Sequence, residues 1–330
     1  MNKILRALIV LVLFTAFIYT VGPKPDEPVF NPELEELNLS LDELENFIQE
    51  KEANLPVKSD NESKVIWHDD LLKGQTSYCL LYLHGFSASG FEGNPTHLNF
   101  ARYFQANAYI PRLASHGLDV TDPLLDMTPD RLYESAKEAL QIANLLGKKV
   151  IMMGTSTGGT LSLKLAADFP ELVEGLILLS PNIRINNPAA FLLSKPWGLQ
   201  IGRQSVGGIY RYTNDDLGAE ECLYWNCFYR MEATVYLQQL VECTMQKGVF
   251  RKVKEPVFLA YYYEDEEHQD DVVRVDAMLK MYDQLGTSGS LKRKQAFDAG
   301  THVIGCGMFS KAQTEVEQAC IDFAEDILEM

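Results

Sequence analysis

Residues 152–159 read MMGTSTGG, a serine set between glycines directly after the apolar run Val150–Met153. A strand, a turn and a serine that caps the next helix would account for it. So would a tight strand-to-helix turn that carries a reactive hydroxyl in the spacing G-x-S-x-G. The two readings differ in what must flank the octapeptide, so the rest of the chain has to decide between them.

Working outward, strands and helices alternate from Lys64 onward. SYCLLYLHG (77–85) is a near-continuous apolar run suited to a strand buried on both faces. A helical stretch from about Pro95 to Gln105 follows, then a short strand near Tyr109. The next helix has Thr128 as cap and Pro129 at its first position, and Gly147 ends it after Leu146. KKVIMMG is a strand, Thr160–Phe169 a helix and VEGLILLSP a strand. Residues 182–248 break the rhythm with aromatics and polar turns and show no clear strand. It resumes with PVFLAYYY (256–263), a helix over 272–285, the strand-like LKRKQAF (291–297) and a last helix over 310–328. This alternation predicts an α/β fold with a mostly parallel central sheet and helices on both faces. The insertion over 182–248 is expected to form a helical cap above the edge where strand C-termini meet the loops.

Composition narrows the function. The chain has 330 residues, 46% hydrophobic, enough to fill a substantial core. A formal charge of −17 spread along the sequence argues against nucleic acid and anionic membrane surfaces as partners. No C-x-x-C or H-E-x-x-H spacing suggests a metal, and no cofactor is expected. Lys3 and Arg6 precede an apolar run from Ala7 to Val21, so residues 1–22 read as a signal peptide or an uncleaved membrane anchor. Either places the domain outside the cytoplasm. Residues 23–63 read as a linker with a short amphipathic helix that Ser40 can cap, and residues 64–330 as the main domain. Cys222 and Cys227 could pair in an exported domain, whereas Cys79 and Cys320 read as small apolar fillers.

With a strand before it and a helix after it, MMGTSTGG meets the requirement for a nucleophile turn. Gly154 and Gly158 fit a backbone too crowded for side chains, and Ser156 would project into the cleft. A serine hydroxyl needs a base oriented by an acid. Of six histidines, His302 in FDAGTHVIG lies after the last strand, in the chain order serine, acid, histidine. His84 reads as a loop-shaping residue. The backbone N–H groups of Phe86 and Thr157 are candidate donors to an oxyanion. The acid lies in EDEEHQDDVV. Counted from the strand Asp265 is in place; counted back from the helix Asp270 is, and Asp270 is preferred.

LHGFSAS, GTSTGGT, the D-x-V-V loop and GTHV occur in one order, and the chain from Lys64 to Met330 resembles α/β-hydrolases of the lysophospholipase, monoglyceride-lipase and serine-aminopeptidase group. The resemblance implies Ser156 as nucleophile, His302 as base, Asp270 or Asp265 as acid, and Phe86 and Thr157 as oxyanion donors. It further implies hydrolysis of a small-molecule ester through an acyl-enzyme. The segment YYYEDEEHQDD is longer than the group's usual loop. The aromatics of the insertion serve either an apolar acyl pocket or the insertion's own core. An aminopeptidase-like alternative would call on Glu220, Glu221 or Glu232 to hold a substrate ammonium. A non-catalytic binding module of the same fold is the third reading.

Overall fold

The computed structural model describes residues 3–35, 37–213 and 218–330. Residues 1–2 of the expected leader, one linker residue and 214–217 of the expected insertion lie outside them. The chain opens with helix α1 (Lys3–Thr20), which buries none of its side chains and is long and apolar enough to cross a membrane. Helix α2 (Leu41–Glu52) follows, and the Glu43 carboxylate accepts from the Ser40 N–H at 3.1 Å and closes the capping box. The linker runs along the domain, its Asn31 and Glu33 carbonyls accepting from the buried Lys137 ammonium.

Next come β1 (Lys64–Ile66), β2 (Thr76–Leu83), α3 (Thr96–Tyr103), β3 (Asn107–Ile110), α4 (Pro129–Leu146), β4 (Gly147–Thr155), α5 (Thr157–Asp168) and β5 (Gly175–Leu179). The insertion carries α6 (Gly198–Ser205), β6 (Tyr210–Tyr212), α7 (Glu221–Tyr224), β7 (Phe228–Arg230), α8 (Met231–Thr244) and α9 (Lys247–Phe250). The chain closes with β8 (Val257–Tyr262), α10 (Val275–Gln284), β9 (Lys292–Phe297) and α11 (Gln313–Asp326). One expectation is corrected here. The insertion does contain strands: β6 and β7 pair as an antiparallel ribbon, each only three residues long, with Tyr212 stacked on Phe228. Alternation over three residues is too short to stand out among aromatics.

Seven strands form one sheet in the order β1-β3-β2-β4-β5-β8-β9, parallel except for the edge pair β1/β3. Its central strands alternate between two buried faces, as a parallel sheet covered on both sides demands. Leu81, Leu83, Val150, Met152, Leu176 and Leu178 pack with α2, α4, α5, α8 and α10. Leu80, Tyr82, Ile151, Met153, Ile177 and Leu179 pack with α3 and α11 on the other face. The chain reverses direction at the centre: β3 lies on one side of β2 and β4 on the other. Register aligns Leu83 with Gly154 and Thr155 with Leu179, so the loops leaving β2, β4 and β5 emerge together at that switch point.

Leu81 is fully buried at the sheet centre. Leu81→Ala is expected to cost about 2–5 kcal/mol in urea unfolding, with the m-value unchanged.

Candidate active site

Ser156 stands between the end of β4 and the first turn of α5 with φ +53° and ψ −116°, a conformation that costs a residue with a Cβ about 1–3 kcal/mol. Backbone hydrogen bonds hold it there. Its N–H donates to the Leu179 carbonyl at 3.0 Å, and its carbonyl accepts from the N–H groups of Asn182 (2.9 Å) and Thr160 (3.2 Å). The turn is as crowded as its glycines suggest. A Cβ on Gly158 would lie 1.8 Å from the Leu83 carbonyl oxygen, and one on Gly154 would lie 2.6 Å from the Gly158 backbone. Neither contact is with the end of a flexible side chain, so the backbone itself would have to move. The N-terminus of α5, with its unsatisfied N–H groups and positive dipole end, begins at Thr157 directly beside the serine.

His302 follows β9, and its Nδ1 lies 2.7 Å from Oδ2 of Asp270. A carboxylate only accepts, so Nδ1 carries the proton and Nε2 keeps its lone pair. Nε2 is buried and has no hydrogen-bond partner among the described residues. The other Asp270 oxygen accepts from the N–H groups of Val272 and Val273, both at 3.0 Å. Burial alone would push the Asp270 carboxyl up. The His302 charge, its hydrogen bond and the two N–H donors outweigh burial and hold it below the usual carboxylate range. For His302, burial opposes the imidazolium, but the charge and hydrogen bond of Asp270 raise it above the ordinary histidine value.

Asp265 goes elsewhere. It is exposed, and its carboxylate accepts from His268 Nδ1 at 2.9 Å and from the N–H groups of Glu267 and His268. Residues 264–268 loop out between Tyr263 and Gln269, which pair as a bridge that the Glu264 N–H to His268 carbonyl bond reinforces. The two ways of counting to the acid differ by this excursion, and the chain returns to the sheet edge at Asp270.

Two buried histidines flank the loop after β2. His84 Nε2 accepts from the Leu113 N–H at 3.2 Å, so its proton sits on Nδ1, which donates to the Gly85 carbonyl at 2.9 Å. That carbonyl shares a peptide plane with the Phe86 N–H, so His84 orients Phe86. Burial lowers its pKa to about 4, leaving it neutral and suited to this task rather than to proton transfer. His116 packs edge-on against His84. The N–H groups of Phe86 and Thr157 have no acceptor among the described residues.

Sequence reasoning passed over Glu92. It is 3% exposed, and Oε2 accepts from the Gly85 N–H at 2.5 Å and from the Tyr82 hydroxyl at 3.4 Å. Burial lifts its carboxyl to about 7, against the pull of the Gly85 N–H and of His302. The one available signal was an acid in FSASGFEG, a loop otherwise made of small and aromatic residues.

Ser156, His302, Phe86 and Glu92 line one cavity of about 560 Å³ roofed by the insertion. Leu192, Leu193, Ile201, Met231 and Leu237 give it aliphatic walls, and Trp225 and Tyr229 contribute aromatic faces. Some of the insertion's aromatics therefore face the cavity, while Tyr210, Tyr212 and Phe228 pack on one another. Glu220, Glu221 and Glu232 do not line it. Glu232 is already paired with Arg203 and Arg230, each at 2.6 Å. Cys222 and Cys227 form a disulfide beside Trp225, and Cys79 and Cys320 are buried and free.

The profile of the alpha/beta hydrolase family matches residues 80–319, and the chain belongs to that family. No curated protein matches the sequence. Solved structures with the same fold include one from work on LipS and LipT, two metagenome-derived lipolytic enzymes. It is 17% identical, with TM-score 0.66 over 83% of this chain and 100% of that one. The Paleococcus ferrophilus monoacylglycerol lipase is 12% identical, with TM-score 0.58 over 79% and 96%. Est1E from Butyrivibrio proteoclasticus with bound ferulic acid is 15% identical, with TM-score 0.54 over 82% and 96%.

Gly158→Ala is expected to destabilise the protein by roughly 1–3 kcal/mol, the range for forcing an extra methyl into a packed site. Thermal unfolding monitored by circular dichroism would measure it.

Proposed function

We propose that this member of the alpha/beta hydrolase family is a serine hydrolase of carboxylic esters. One observation carries the reading: His302, proton-bearing toward Asp270 and with no partner at Nε2 among the described residues, shares an aliphatic-walled cavity with the strained Ser156. In the reaction, Ser156 Oγ attacks the ester carbonyl carbon and passes its proton to His302 Nε2. Asp270 stabilises the resulting imidazolium. The N–H groups of Phe86 and Thr157 take the negative charge of the tetrahedral intermediate, helped by the positive end of α5. The alcohol leaves with the His302 proton. Water, deprotonated by His302, then attacks the acyl-enzyme and releases the acid.

The insertion serves as the cap, and its aliphatic walls favour an ester with an apolar acyl group. The lipolytic enzymes and the monoacylglycerol lipase among the fold relatives agree with that preference. Glu232 is neutralised by two arginines and lies off the cavity, which removes the most buried candidate for an ammonium-binding acid. We further propose that α1 anchors the domain outside the cytoplasm or directs its export, where the Cys222–Cys227 bridge would be stable.

Two measurements test these readings. With p-nitrophenyl esters of short and medium acyl chains, Ser156→Ala should abolish turnover while circular dichroism stays unchanged. Asp270→Asn should lower kcat by about 10⁴-fold, as loss of the orienting acid does in such triads. Asp265→Asn should leave it within a few-fold, and the reverse ranking would reassign the acid. On cell fractionation the chain should sediment with membranes or be recovered exported and shortened. An intact Met1 in the soluble cytosolic fraction would refute export and anchoring together.

A further inference from the structure

Glu92 lies between the two halves of the chemistry. It is nine-tenths or more buried, it lines the cavity with Ser156 and His302, and a Cβ placed on Gly85 would meet Glu92 Oε1 at 2.7 Å and Ser156 Cβ at 3.1 Å. The carboxylate and the serine therefore both border the space a side chain at Gly85 would fill. Through the Gly85 N–H it grips the peptide immediately before the one that ends in the Phe86 N–H. Gly85 is thus held at both polar atoms: its N–H by Glu92 and its carbonyl by His84. Next to it, Ser87 takes a positive φ of 63°, a conformation that needs such restraint.

Of the groups facing Glu92, His302 is its charge partner, and His302 is itself faced by Asp270 and Asp271 in a cavity that Arg211 also lines. From β2, the Tyr82 hydroxyl points at Glu92 and also meets Thr155 Oγ1 at 3.0 Å, one residue before Ser156. From α3, His97 packs on the Tyr82 ring at 4.6 Å, and burial depresses its pKa to about 4, so it is neutral. From the loop after β9 come Cys306, whose thiol burial keeps protonated, and His302 itself. Burial opposes an ionised Glu92 and a charged His302 separately. Each stabilises the charged form of the other in a cavity where water screens poorly.

We propose that Glu92 is a second acid of the active site, a positioning residue that locks the oxyanion loop through Gly85 and a charge partner that modulates His302 alongside Asp270. The role rests on the reading of Ser156 and His302 as the acylating pair. The sign follows directly. An ionised Glu92 favours the imidazolium, so it holds the His302 midpoint up and sets the acidic limb of kcat/KM higher than Asp270 alone would. Each group favours the charged form of the other, so a change in one shifts the titration of the other.

The deciding experiment is a pH titration of the His302 Cε1–H resonance by NMR in the full chain and in Glu92→Gln, assigned by its loss in His302→Gln. Glutamine keeps an oxygen for the Gly85 N–H and removes the charge. The His302 midpoint should fall by about one pH unit, and the acidic limb of ester turnover should shift with it. Glu92→Leu also removes the grip on Gly85, and should lower kcat by about 10²-fold with KM within a few-fold, the signature of a misplaced oxyanion donor. An unchanged midpoint in Glu92→Gln overturns the proposal, because a purely structural acid would lower the melting temperature without moving His302. The titration requires no turnover, so a wild-type chain inactive on esters would refute the proposed function while the resonance still judged Glu92.

Discussion

The site depends on the collision that is avoided where α5 passes under β2. The Gly158 backbone comes so close to the Leu83 carbonyl that no Cβ fits. That approach forces the chain to turn within one residue, and Ser156 takes the positive φ the turn requires. The strain is sustained because β5 and the loop after it supply the hydrogen bonds at Leu179 and Asn182. Three parallel strands are thus needed to hold one residue. The geometry that lifts the hydroxyl into the cavity is a property of the sheet and not of the octapeptide.

Burial organises the electrostatics of the same edge. His84, His97 and His116 are kept neutral because nothing nearby repays the cost of their charge. His302, half-buried with its side chain 11% exposed, goes the other way, because Asp270 repays the cost of its charge with a hydrogen bond and a full charge. Asp270 can do so because two backbone N–H groups already stabilise its ionised form. Among these four imidazoles only His302 has a carboxylate hydrogen-bond partner among the described residues.

Much of this was legible in the sequence, and the part that was not has a physical reason. Long apolar runs such as those around Cys79 and Met152 announce strands buried on both faces, and Thr128-Pro129 marks the start of α4 to the residue. The β6/β7 ribbon was missed because three residues per strand show no period. The acid was ambiguous because 264–268 loop out, and a linear count cannot tell an excursion from the path of the chain. Glu92 was invisible for a different reason. Its role depends on burial and on which peptide it grips, and neither can be read from an acid in a loop.

The cavity draws these strands of argument together. Ser156, His302 and Glu92 line it at the sheet edge beside the loop after β2, while the insertion supplies most of its aliphatic wall together with Ser205, Arg211 and Thr234. The sheet edge and the insertion therefore contribute different parts of the lining. Hydrogen-bond geometry tolerates errors of a few tenths of an ångström, so the polar half sits on strands and on a turn locked by crowding. Apolar contact is non-directional and scales with area, so it can be left to short helices and a ribbon whose packing is less exacting. Substitutions at Leu192, Leu193 or Ile201 would reshape the cavity wall without touching the sheet edge, whereas no comparable freedom exists at Gly154, Gly158 or Gly85.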